Sequence, residues 1–332
     1  MGLTNPQLEK ILREYDKRQI RNRAEQEERI RYAMENIPEL KGMEEAISDL
    51  SLQRAKALLQ GDTTAATRYS RQLSDVKEGK KVLLCAKGLS DRYLDMQYQC
   101  EDCKDTGYIG GEKCHCLKQA IADLLFSQYS VKEQFKKENF STFSFELFDQ
   151  NETDPYSGLT AYENIKRIYR DSLRYVEEFV PGKENLLLMG ETGTGKTFLS
   201  NCIANALMER GFSVVYLPAN QLFDVLAEYS FKSYVDHVDE NYYYILNSDL
   251  LIVDDLGTEL NNSFVSSKLF CCINERRLNN KSTIISTNLS LNQIRDAYSE
   301  RVSSRLLESY HILRFYNSDI RVKKRLMGKS KE

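Results

Sequence analysis

Asn185-Leu186-Leu187-Leu188-Met189, followed by Gly190-Glu191-Thr192-Gly193-Thr194-Gly195-Lys196-Thr197, is the stretch on which the reading of this chain turns. The first five residues read as a short buried strand, and Phe198 to Arg210 has the apolar spacing of a helix. Between them glycine, lysine and threonine stand at the spacings of a phosphate-binding loop. Such a loop needs this context. Successive backbone N–H groups and the positive end of a helix dipole then face one point and hold a nucleotide's phosphates. Gly190, Gly193 and Gly195 let the backbone wrap closely. Lys196 is placed to reach the β- and γ-phosphates, and the Thr197 hydroxyl to bind Mg²⁺. A chance glycine-rich loop would not have strand, loop and helix in register, so the chain is expected to bind a nucleoside triphosphate.

Outward from this loop the pattern repeats. Leu250-Leu251-Ile252-Val253-Asp254-Asp255 is an apolar run that ends in acid, as in a central parallel strand delivering carboxylates to the edge of a sheet. Asp254 would hold Mg²⁺ with Thr197, and Asp255 would orient or deprotonate the attacking water. Thr283-Ile284-Ile285-Ser286-Thr287-Asn288 is a third strand. Its terminal Asn288 reads equally as a γ-phosphate or water contact and as a turn residue. With candidate strands at 185–189, 213–217, 249–254, 282–287 and 310–315 and helices between them, the expected fold is a parallel, three-layer α/β domain.

The bulk numbers narrow the field. A chain of 332 residues is long for one domain and suggests two. Its formal charge of −3 argues against a polybasic coat for DNA. No apolar run approaches the length of a bilayer span, and Met1 to Arg23 lacks the apolar core of a signal peptide. A cytoplasmic protein is expected. Residues 5 to about 95 read as helical, starting at Asn5-Pro6, with breaks at Pro38 and Gly61-Asp62, a weak point at Gly79 and an end near Gly88. The charged stretch up to Arg31 fits a solvated face, a partner-binding helix or a coiled coil.

Cys100, Cys103, Cys114 and Cys116 put four thiols within seventeen residues, enough to close a tetrahedral Zn²⁺ site of structural type. His115 could compete as a ligand, and reduced thiols are the alternative. Asp105, Gly107, Gly110 and Gly111 supply turn residues for a knuckle at about 100–116. Cys85, Cys202, Cys271 and Cys272 sit in apolar helical patterns and are expected in the core. A second amphipathic segment runs from Leu117 to about Lys136. The stretch Leu222 to Tyr244, with Tyr229, Phe231, Lys232 and Tyr234 close together, could stack bases or simply pack. The basic tail from Arg321 could touch phosphates or be solvated.

Glu300-Arg301-Val302-Ser303-Ser304-Arg305 sets two arginines four apart on one helical face. Either could reach a neighbour's γ-phosphate, or pair with Glu300 and Glu308. Together with the phosphate loop, Asp254-Asp255-Leu256-Gly257-Thr258-Glu259 and Ser286-Thr287-Asn288, this box resembles the AAA+ ATPases of the DnaC/DnaI/IstB group. The resemblance covers roughly Glu138 to Arg321 and the cysteine segment. It implies ATP as the nucleotide, Lys196 and Thr197 as the Walker A pair and Asp254 as the Walker B metal residue. It further implies Asn288 as first sensor, Arg305 as an arginine finger acting between self-associated copies, and Arg321 as second sensor. Loaders of this group can carry a zinc knuckle near the N-terminus. Many AAA+ proteins carry Glu where this chain has Asp255, so slow, switch-like hydrolysis is expected.

The expected organisation is therefore a helical, knuckle-bearing partner domain over 1–136 and an AAA+ domain over 137–332. The expected function is a loader that delivers a DnaB-type replicative helicase onto single-stranded DNA. The alternatives are an IstB-like transposition helper, a P-loop small-molecule kinase, and an adaptor that binds ATP without hydrolysis.

Overall fold

The computed structural model describes residues 5–125 and 137–323 apart from 152, 155, 156, 232–239, 261 and 318. Lys232, Tyr234, Ser318, the later half of the segment ending at Lys136 and the basic tail beyond Lys323 lie outside the described residues. The chain divides into two compact units, residues 12–111 and residues 112–332 with 1–11. Among the described residues no helix is long and apolar enough to cross a membrane.

Helices α1 (Asn5–Asn36), α2 (Pro38–Leu59) and α3 (Thr63–Ala86) supply the first unit. Their breaks have local causes. Pro38 opens α2, where its missing N–H costs nothing. Gly61 takes a left-handed φ of +75°, and the Asp62 carboxylate then caps α3 by accepting from Ala65 N at 2.9 Å. Gly79 does not interrupt α3, which ends before Gly88 at φ +78°. A small core of Ala33, Ile37, Leu40, Leu84 and Leu94 closes the unit.

The polar face of α1 is not simply solvated. The chain returns along it after α3, and its backbone is held by α1 side chains. Arg29 Nε donates to Tyr93 O at 2.9 Å, Gln26 Nε2 to Leu94 O at 2.9 Å and Gln19 Nε2 to Asp105 O at 3.0 Å. Asn22 Nδ2 donates to the buried Asp105 carboxylate at 2.7 Å. These groups satisfy a loop backbone that no strand partner reaches.

A two-stranded hairpin, β1 (Tyr108–Ile109) and β2 (Glu112–Lys113), turns through Gly110 and Gly111 and leads into α4 (His115–Leu125). The second unit's sheet follows: β3 (Leu186–Met189), β4 (Val214–Pro218), β5 (Leu250–Leu256), β6 (Ser282–Thr287) and β7 (His311–Arg314). The strands run parallel in the order β4-β5-β6-β3-β7. Between them lie α5 (Ala161–Glu177), α6 (Lys196–Glu209), α7 (Ala219–Phe231), α8 (Glu240–Asn247), α9 (Ser263–Leu278), α10 (Leu291–Tyr298) and α11 (Glu300–Ser309). Strands β3 and β6 are buried along their whole length, as a sheet covered on both faces requires. The chain leaves β3 toward β4 but leaves β6 toward β7, so the order reverses at β3. Ligand crevices open at the carboxyl ends of strands at such a point.

Two devices tie the layers together. β4 is an edge strand, and Gln119 of α4 covers it. Its Oε1 accepts from Val214 N at 2.8 Å while its Nε2 donates to Val214 O at 3.2 Å, in place of a neighbouring strand. Arg276, on α9, is fully buried. Nε donates to Thr283 Oγ1 at 3.0 Å, Nη2 to Ser248 O at 3.1 Å and Ser282 O at 2.5 Å, and Nη1 to Ser248 Oγ and Ile245 O. All five donors are used on groups at the end of α8 and at the starts of β5 and β6.

Of the four cysteines expected in the core, Cys202 and Cys272 are buried but Cys85 and Cys271 are exposed. Adjacent helical residues point about 100° apart, so Cys271 and Cys272 cannot both face the core. β5 also runs two residues beyond its expected end. Its pairing with β6 is irregular between Val253 and Leu256, where Asp255 takes a φ of +56°.

Candidate functional site

The loop Gly190–Thr197 leaves β3 and enters α6. Gly190 packs against the exit of β7 so closely that a Cβ there would lie 2.2 Å from Phe315 O. Gly193 and Gly195 take φ of +79° and +100°, and Gly195 is the N-cap of α6. Glu191 and Thr192 are exposed, whereas Thr194 is buried and closes the loop by donating to Glu191 O at 2.8 Å. Lys196 is buried, and its ammonium donates to Gly190 O at 2.7 Å and Glu191 O at 2.8 Å. Burial lowers its pKa, with Asp255 and Asp254 opposing.

Asp254 stands opposite the loop at the end of β5. It accepts from Tyr216 OH at 2.7 Å, Ser286 Oγ at 2.5 Å and Thr197 Oγ1 at 3.2 Å. Three strands and the loop helix therefore converge on one carboxylate. Ser286 Oγ in turn accepts from Asp255 N at 2.8 Å, which locks the acid pair to β6. Asp255 is exposed at the strand end, but partial desolvation of its carboxyl and the Asp254 charge push it up, against Lys196 and Arg321.

A raised carboxyl pKa costs stability once the group ionises. The cost is absent below the unfolded-state value, builds as pH rises through the folded-state value and stays in full above it. Asp255→Asn should therefore raise the thermal midpoint at pH 7, and the gain should vanish near pH 3.5; melting curves across that range check it.

A cavity of 470 Å³ joins these groups. Lys196, Thr197, Asp254, Asp255 and Arg321 line it together with the apolar Phe143, Leu147, Phe148, Phe198 and Ile320. These apolar side chains were not anticipated in the site; their signal is the aromatic spacing of Phe140, Phe143, Phe145 and Phe148. Phe143 contacts Phe198 edge-on at 5.6 Å and Tyr169 at 5.2 Å. Glu138, also in the lining, accepts from Asn201 Nδ2 at 2.5 Å. Glycine loop, helix N-terminus, lysine and an adjoining hydroxyl–carboxylate pair form a donor set that fits a nucleotide with Mg²⁺.

Other residues singled out from the sequence lie elsewhere. Asn288 is exposed just past β6 and lines an adjoining depression of 450 Å³ with Gly190, Glu191 and Arg314. Arg305, on α11, lines neither hollow; its Nη1 pairs with Glu308 at 2.8 Å and its Nε is buried without a partner among the described residues. Arg301 is exposed. Tyr229 stacks on Tyr242 with centroids 3.8 Å apart, and Tyr242 OH donates to Glu275 at 3.3 Å.

Cys100, Cys103, Cys114 and Cys116 gather with their sulfurs all within 4.8 Å of one another. Gly107 N donates to Cys103 Sγ at 3.3 Å, and Lys104 and Asp105 take left-handed φ of 52° and 59° to turn the chain there. The Asp105 carboxylate accepts from Gln99 N and Cys100 N, both at 2.9 Å, and so braces the first ligand pair. His115 is not in the group; its ring lies against Gly211. His115 Nδ1 nevertheless lies 3.5 Å from Cys114 Sγ, and the four soft sulfur donors fit a closed tetrahedral Zn²⁺ site.

Comparison with known proteins agrees with this geometry. Residues 164–328 match the family described as IstB-like ATP binding protein. The replicative helicase loader DnaC of Buchnera aphidicola is 25% identical over 146 residues, covering 44% of this chain and 59% of the loader. The phage-like element PBSX protein XkdC of Bacillus subtilis is 24% identical over 233 residues, covering 66% and 82%. A crystal structure of the DnaC helicase loader superposes with a TM-score of 0.44 at 24% identity, over 55% of this chain and 99% of that one. The chain thus spans little more than half the length of the curated loader it matches. Over that part of its length it is similar to the AAA+ proteins of the DnaC/DnaI/IstB-like group.

Proposed function

We propose that this chain is an ATP-driven loader that delivers a replicative helicase onto single-stranded DNA. The observation that carries the reading is the similarity of its ATPase domain to proteins named replicative helicase loader DnaC. The residues outside the family match, α1 to α3 and the cysteine cluster, favour the loader over an IstB-like transposition helper. They offer a helical body for a protein partner, and the knuckle would brace it.

In this reading Gly190–Thr197 hold the phosphates, with Thr197 and Asp254 as the Mg²⁺ residues. ATP supplies the phosphoanhydride, and Mg²⁺ neutralises charge on its phosphates. Asp255 orients the attacking water and takes its proton. Arg321 lines the same cavity, and Asn288 reads the nucleotide state from the neighbouring hollow. Arg305, remote from its own cavity, completes the site of an adjoining copy. Hydrolysis is slow because Asp255 is one methylene shorter than glutamate.

Arg305→Ala should leave affinity for a fluorescent ATP analogue within about twofold and cut hydrolysis about 10³-fold. Equal loss of binding, or no loss of hydrolysis, would sink the trans role. Metal analysis should find one Zn²⁺ per chain. A strong chelator under reducing conditions should open residues 97–117 to protease while ATP binding persists, because the knuckle's fold depends on the metal.

A further inference from the structure

The loop after the acid pair is tied to the arginine helix of the same chain. Two residues beyond Asp255, Gly257 turns with φ +108° against Leu289. Glu259 closes the loop by accepting from Gly257 N at 3.1 Å, and its other oxygen accepts from the Tyr298 hydroxyl. Tyr298 is fully buried at the end of α10, and its carbonyl accepts from Ser266 Oγ of α9 at 2.5 Å. Burial and the Glu259 carboxylate push its hydroxyl far above the usual tyrosine range. The next residue, Ser299, has φ +96° and ψ 158°, and α11 with Arg301 and Arg305 starts immediately after it.

That backbone region is nearly closed to a residue with a Cβ, and a serine stays in it only when its surroundings hold it there. Among the described residues the α10–α11 junction has no side-chain cap of its own at Ser299. The anchor is Tyr298, and what Tyr298 grips is the loop of Asp254 and Asp255. A link of one short loop and one part-buried hydrogen bond thus joins the metal strand to the helix that bears Arg305.

We infer that Glu259 and Tyr298 are a positioning pair that sets the pitch of α11 and aims Arg305 at the neighbouring copy's site. The inference rests on Arg305 acting in trans. Neither residue touches nucleotide; both act through Arg305.

Complementation tests it. Tyr298→Phe should keep ATP KM within about twofold and lose about tenfold to hundredfold in kcat, as for a catalytic group displaced by about 1 Å. Glu259→Gln, which keeps an acceptor for the tyrosine, should retain more activity than Glu259→Ala. Mixed with Asp255→Asn copies, which hold ATP and carry an intact Arg305, Tyr298→Phe should regain activity well above the sum of the two proteins alone. Arg305→Ala mixed in the same way is the control. If the control recovers and Tyr298→Phe does not, the pair acts on its own site or only on the fold, and the inference fails. If the control does not recover, the trans reading beneath it fails instead. Wild-type activity in Tyr298→Phe alone also overturns it. Melting curves of each variant identify any that do not fold, and Glu259→Gln then carries the test.

Discussion

Lys196→Ala should lose ATP hydrolysis by at least about two to three orders of magnitude, the scale of deleting one preorganised charge at a phosphate. The ammonium is buried and already held at the loop by the carbonyls of Gly190 and Glu191. Its desolvation is met by the folded chain before any nucleotide arrives, so little reorganisation is left for binding. Among the described residues lining the cavity, Arg321 is the other cation, and its side chain is 72% exposed. It cannot replace a buried charge. Loss of one charge-assisted hydrogen bond, about 1.5–3 kcal/mol, should weaken ATP binding roughly tenfold to a hundredfold. Lys196→Arg should not rescue, because a planar guanidinium does not fit a loop built around a point charge. Steady-state hydrolysis with titration of a fluorescent ATP analogue measures both effects, and unchanged far-UV circular dichroism shows that the fold persists.

Arg276→Ala is expected to have the largest effect on stability, far from the nucleotide. The substitution removes five donors at once and strands the Ile245, Ser248 and Ser282 carbonyls and the Thr283 hydroxyl in a dry interior. Breaking a buried charged network in this way costs about 3–5 kcal/mol. For a domain of this size that lowers the melting midpoint by about 6–20 °C. Arg276→Lys keeps a charge and three donors but not the fork that spans two strand starts, so it should fall between. Denaturant melts without nucleotide measure both, since bound ligand would mask part of the loss. A change below about 1 kcal/mol for Arg276→Ala would mean that water replaces the guanidinium and that the residue is no keystone.

What the sequence made legible is mostly local chemistry. The loop residues of Gly190–Thr197, the acid pair and the breaks at Pro38, Asp62 and Gly88 each follow from a motif or backbone preference within a few positions. Strand limits are nearly as local, because apolar runs bounded by glycine and polar residues have few other uses. The rest depends on neighbours brought from afar. Tyr216 and Ser286 hold Asp254 because β4 and β6 flank β5, which no local pattern reveals. Arg276 reads as one more charge on a mixed helix until the sheet is assembled above it. Asn288 falls beside a neighbouring hollow because the direction taken past a strand end is set by the turn and not by alternation. The polar side chains of α1 looked solvated because backbone of the returning segment, and not another side chain, is what they bind.

The most direct test of the loader reading is the mass of the complex formed when the full chain is mixed with its host's replicative helicase, with and without ATP. The account predicts a defined complex that requires α1 to α3 and the cysteine knuckle and that changes composition when ATP is added. No complex, together with ATP-dependent filaments on duplex DNA, would contradict it and assign the chain to the transposition helpers.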